Sequence, residues 1–184
     1  MRILAALCWL LAPAFAHAET KPVVSDPAVL HDLAPTGTLR AAINLGNPVL
    51  AQAGPDGPMG VSVDLARALA ARLGVPVTFV TFPGAGAVSG SAGSGRWDIC
   101  FLAIDPKRAE GIAFTAPYVL IAGSYLVPAD SPIRSLEAVD RDGVRVSVGR
   151  GSAYDLYLSR NLADRKSTRL NSSHSGESRM PSSA

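Results

Sequence analysis

The chain has 184 residues, 48% of them hydrophobic, with 17 basic against 15 acidic side chains and a formal net charge of +2. The basic excess lies at the two ends: residues 19–163 hold 12 basic and 13 acidic side chains, which excludes the footprint of a nucleic-acid binder. With the ends set aside, only His31 and Cys100 remain of three histidines and two cysteines. An internal disulfide, a histidine–cysteine zinc site and a Ser-His-Asp centre therefore all lack parts.

Residues 1–18 combine Arg2, a short apolar run and Ala16-His17-Ala18, the pattern of a cleaved secretory signal with Glu19 as the mature start. The run is too short to span a bilayer, and Pro13 interrupts it. Residues 19–36, rich in Pro and polar side chains, read as a poorly ordered lead-in. Residues 38–45 (TLRAAINL) read as the first strand, ended by the turn Gly46-Asn47-Pro48.

Residues 55–60 form a turn-rich connection. In residues 61–73, Val61, Leu65, Leu69 and Leu73 recur every four positions with Ala66 and Ala70 beside them, predicting an amphipathic helix stopped by Gly74. Residues 75–82 (VPVTFVTF) predict the second strand. Residues 83–95 hold five glycines and neither Leu nor Ile, so a frayed helix and an open loop both stand. A phosphate-cradling loop would need Lys-Ser/Thr, which is absent.

Residues 97–118 (WDICFLAIDPKRAEGIAFTAPY) are the centre of the chain. Residues 99–104 predict a buried strand, and Cys100 within it reads as a small core residue. Asp105-Pro106 is a helix start, with Asp as cap and Pro at the first position. Arg108 then lies in the first turn of a helix beyond the carboxyl end of a strand, where open α/β sheets bind ligands. Residues 119–127 predict a strand and crossover. Residues 144–148 predict another strand, and Gly149-Arg150-Gly151-Ser152 turns it into a helix whose N-terminus suits an anion. A dinucleotide site is disfavoured, because Tyr154 stands where a third glycine is needed.

Gly95 and Asp98 flanking a strand, Arg108 after it, then Phe114, Pro117 and Tyr118, resemble lobe one of the family 3 extracellular solute-binding proteins of amino-acid-type ABC importers. Gly60, Asp64, Leu65, Leu69, Ala70 and Leu73 resemble that family's helix signature. Asp105 replaces the usual Thr, and Ser62 replaces an acid. The resemblance implies a type II periplasmic-binding-protein-like α/β fold with two lobes. Lobe one spans residues 37–128, and an incomplete lobe two spans 129–163 with one strand and one helix. It further implies periplasmic capture of a carboxylate-bearing solute, such as an amino acid, for a membrane permease, without cofactor or catalysis. An enzyme on the same fold, such as a cyclohexadienyl dehydratase, or a sensory input module is the alternative.

The resemblance makes Arg108 the carboxylate grip from lobe one and Gly151-Ser152 the grip from lobe two. Asn47 lies in the loop the family places in the cleft, although it equally suits the turn. Phe101 and Ala103 stand where relatives line the pocket with small hydroxyl residues, and Asp105 is counted with the ligand-binding residues, as a cap in preference to an ammonium partner. Residues 164–184 resemble the direct translation of a sequencing adapter and read as a non-native tail, set apart from the reading of the fold.

Overall fold

A computed structural model of the chain describes residues 26–162 and 168–170. Residues 1–18, with the expected signal, lie outside the described residues. A three-stranded parallel sheet in the order β4–β1–β5 centres on β1 (Leu39–Asn44), flanked by β4 (Val77–Phe82) and β5 (Ile99–Cys100). Leu39, Ala41, Ala42 and Ile43 of β1 are all fully buried, as a parallel strand covered on both faces must be.

Alternation along β1 divides the core between two faces. Ala41 and Ile43 meet Val63 and Ala66 of α2 (Val61–Leu73), and Leu39 meets Ala70 and Leu73 of the same helix. On the opposite face Ala42 and Phe82 pack with Val88 of the short helix α3 (Ala85–Gly90). The bounds of α2 match the expectation, and Gly74 ends it in the left-handed conformation that suits glycine. Its buried stripe is rotated, however, to Val63, Ala66, Ala70 and Leu73, while Val61 and Leu65 are exposed. Small residues take the positions where helix and sheet come closest.

Four further expectations are corrected. The lead-in contains α1 (Pro27–Leu33), capped by the Asp26 side chain on the Ala28 amide, with Val29, Leu30 and Leu33 packed beside Leu39 and Leu73. The connection before α2 is a hairpin of β2 (Gln52–Gly54) and β3 (Gly57–Met59). The strand expected over 99–104 is regular only at Ile99–Cys100, where it pairs with Ala41 and Ala42. Residues 119–127 hold no strand, and Leu120 and Leu126 are 87% and 99% exposed. Apolar composition predicts a strand there, but no neighbouring strand pairs with the segment.

In the second part, β6 (Ser147–Gly149) leads to α5 (Ala153–Asn161). Thr168–Leu170 forms β7, paired in parallel with β6. Within residues 129–163 the elements are β6 and α5, and β7 lies beyond them, in residues 164–184. A helix after β6 returns the chain to the same end of the strand, and the unpaired edge of β6 accepts the next extended segment. Among the described residues no helix is long and apolar enough to cross a membrane.

Candidate functional site

From β1 the chain moves to β4 on one side, and from β4 it crosses back over β1 to β5 on the other. The carboxyl ends of β1 and β5 therefore border a topological switch point, where a crevice must open. An open cleft of about 1160 Å³ lies there. Its lining includes Asn47, Phe101, Ala103, Arg108, Tyr118 and Ser152.

Arg108 forms part of the cleft wall and is only 4% exposed. It stands in α4 (Pro106–Ala109), which starts because Asp105 caps the Lys107 amide at 2.8 Å and Pro106 takes the first helical position. Arg108 Nη1 donates to the Ala103 carbonyl (3.0 Å) and Nη2 to the Gly151 carbonyl (2.9 Å). Its Nε–H is buried with no hydrogen-bond partner. Burial lowers the guanidinium's proton affinity, and Asp105 and Cys100 partly offset that effect. A buried donor left unpaired costs about 1–3 kcal/mol.

The second part meets Arg108 at the start of α5. Ser152 Oγ accepts from the Asp155 amide (3.1 Å), the Ser152 amide donates to the Gly149 carbonyl (3.0 Å), and the Gly151 amide donates to Asp155 Oδ2 (2.8 Å). Gly151 has φ +67°, which glycine adopts without a Cβ penalty. Asn47 makes an Asx turn, its Oδ1 accepting from the Val49 amide at 3.2 Å, while it also lines the cleft.

Phe101 stands edge-on to Tyr118, with centroids 6.0 Å apart and planes at 89°, and together they form an aromatic wall. Tyr118 is tied to the start of α2, its hydroxyl 3.4 Å from Ser62 Oγ. Ser62 is buried, so the residue standing in place of an acid serves to anchor the wall. Sequence reasoning missed this role because the two residues are 56 positions apart.

Asp98 is the acidic residue among those lining the cleft, and it is engaged by Arg40. Arg40 donates from its amide (2.8 Å) and Nε (3.0 Å) to Oδ2, and from Nη2 to Oδ1. Burial acts to raise the Asp98 carboxyl, but these bonds outweigh it and hold the group below its ordinary value. Asp105 behaves likewise. It is 4% exposed, with Oδ1 on the Lys107 amide and Oδ2 on Arg160 Nη2 at 2.7 Å. Burial again pushes upward, and Arg160 and the Lys107 amide bring the net value below normal. Among the described residues no cluster of three His, Cys, Asp or Glu side chains is placed to hold a metal.

Residues 39–176 match the profile of the bacterial extracellular solute-binding proteins, family 3. A comparison with curated protein sequences finds no match. Among solved structures, the ancestral amino acid-binding protein AncCDT-1, a precursor of cyclohexadienyl dehydratase, is similar at 26% identity and a TM-score of 0.63, over 78% of this chain and 64% of its own. An ancestral arginine-binding protein bound to glutamine gives 25% identity and a TM-score of 0.58, over 73% of this chain and 60% of its own. The holo arginine-binding protein of T. maritima gives 25% and 0.57 over the same shares. The chain thus spans about 60–64% of the length of these relatives.

Proposed function

The chain belongs to the bacterial extracellular solute-binding proteins, family 3, and on that premise we propose that it captures a small carboxylate-bearing solute, an amino acid, for an ABC importer. The capture takes place in the periplasm, and the loaded protein docks on a membrane permease. The single observation that carries this reading is the buried Arg108 Nε–H, unpaired in the wall of a cleft at the switch point of the sheet. A guanidinium edge recognises a carboxylate through two parallel N–H···O bonds. Ser152 at the start of α5 supplies the second anion-binding surface through its hydroxyl hydrogen and the helix dipole, since the Gly151 and Ser152 amides are already engaged within the loop.

The ligand body lies against Phe101, Tyr118 and the small Ala103, with Asn47 adding one hydrogen bond. Charge-assisted bonds contribute roughly 1.5–3 kcal/mol each, so about three to six reach the −8 kcal/mol of micromolar binding. Relatives that bind amino acids support the solute class, since their ligands, arginine and glutamine, share the α-carboxylate. Binding and release complete the cycle, with no covalent step.

Isothermal calorimetry with L-amino acids and the amines formed by their decarboxylation tests the reading. At least one amino acid is expected to bind at micromolar level and its amine at least a hundredfold more weakly. Equal binding of acid and amine would overturn the carboxylate grip.

A further inference from the structure

The α4 segment holds α5 at both ends. Near the start of α5, Arg108 donates to the Gly151 carbonyl. Near its end, Arg160 donates to Asp105 Oδ2 at 2.7 Å. Gly151 and Arg160 are nine residues apart, a lever of roughly 13 Å along a helix axis. A single attachment at Gly151 would leave α5 free to pivot about that point. A second attachment at the far end fixes its direction as well as its distance.

We propose that Asp105 and Arg160 are positioning residues of the ligand clamp, their ion pair setting the angle of α5 and hence the placement of Ser152 relative to Arg108. This rests on the carboxylate-clamp reading above. Asp105 is suited to the role because one of its oxygens is fixed by the cap on Lys107 and the other faces Arg160. With both oxygens engaged, it braces the site and does not touch the solute. Where the family's usual residue is Thr, this chain places a charge, and Arg160 two turns beyond Ser152 answers it.

The test has a ligand-independent arm and a binding arm. Spin labels on Lys107→Cys and Tyr157→Cys, in a Cys8→Ser, Cys100→Ser background, report the α4–α5 separation by pulsed electron paramagnetic resonance without added solute. One narrow distance distribution is expected for the parent, a broadened one for Arg160→Gln, and a narrow one again for Arg160→Lys, which keeps the charge. If Arg160→Gln loses its cooperative unfolding transition, Asp105→Asn, which retains a cap acceptor, is measured in its place. In the binding arm, unlabelled protein is titrated with L-glutamine and L-arginine, and the neutral variant is expected to bind about tenfold more weakly than the parent. An unchanged distance distribution overturns the brace, whatever the affinities. A broadened distribution in a protein that binds neither amino acid upholds the brace and counts against the clamp reading instead.

Discussion

Gly86 and Gly151 meet backbone to backbone, so close that a Cβ on Gly151 would stand 2.7 Å from the Gly86 Cα. The same loop that offers its carbonyl to Arg108 thus rests directly on α3. This contact explains how a glycine-rich helix of poor propensity is retained. Its missing side chains let the two parts of the chain approach.

Gly86→Ala and Gly151→Ala should separate approach from stability. Alanine at Gly86 favours the helix by up to about 1 kcal/mol, yet its Cβ would meet the Gly151 Cα and Arg150 carbonyl at 3.0 Å. The thermal midpoint is expected to hold or rise while solute affinity falls. Gly151→Ala adds the left-handed backbone strain of about 1–2 kcal/mol and should lose both. Differential scanning calorimetry paired with titration of L-glutamine checks the contrast.

Arg108→Ala removes the guanidinium that the bound carboxylate needs. Truncating one side of a desolvated charge pair costs about 2–5 kcal/mol, roughly 30-fold to several thousand-fold in affinity. Arg108→Lys should restore only part, since an ammonium lacks the planar fork. Ser152→Ala is expected to cost about 1 kcal/mol of helix stability through the lost cap, with a smaller effect on binding than Arg108→Ala because it removes one neutral hydroxyl and no charge. Titrations of the three variants alongside their unfolding curves separate the two effects. Binding by folded Arg108→Ala within threefold of the parent would make the arginine a wall residue only.

Acid should unfold the protein through Asp98 and Asp105. Both carboxyls lie below their ordinary value when folded, because arginine bonds outweigh burial. A depressed carboxyl contributes stability that is complete above its unfolded value and is lost as pH falls through the folded one. The unfolding free energy is therefore expected to be flat with respect to these groups between about pH 7 and 5, and to decline below about pH 4. Arg160→Gln should lower stability at neutral pH and make the acid limb shallower. Urea titrations across that range measure it.

Cys100 should be a slow thiol. Burial raises it to about 11, and nearby Arg108 lowers it only partly. In the Cys8→Ser chain, a disulfide reagent at pH 7.5 is expected to react about a hundredfold more slowly with folded than with unfolded protein, since an ordinary thiol titrates near 8.5. Equal rates would place the thiol in open solvent.

Local chemistry determined much of this protein from the sequence alone. Asp105-Pro106 capped α4 where the dipeptide predicted, Gly74 ended α2, and Ser152 capped α5, because each depends on groups within a few residues. The three strands of the central sheet were legible as apolar runs, though β5 kept only the two residues that find partners on β1. Asp26-Pro27 carried the same signal for α1, overlooked because the surrounding composition is polar. Tertiary structure alone decided which face of α2 is buried, since the closest approach to β1 selects alanine over leucine. It also decided that Asp105 meets Arg160, that Ser62 meets Tyr118 and that Arg108 reaches Gly151. These pairs lie 43 to 56 residues apart, so no spacing rule joins them; the sheet order and the meeting of Gly86 with Gly151 do.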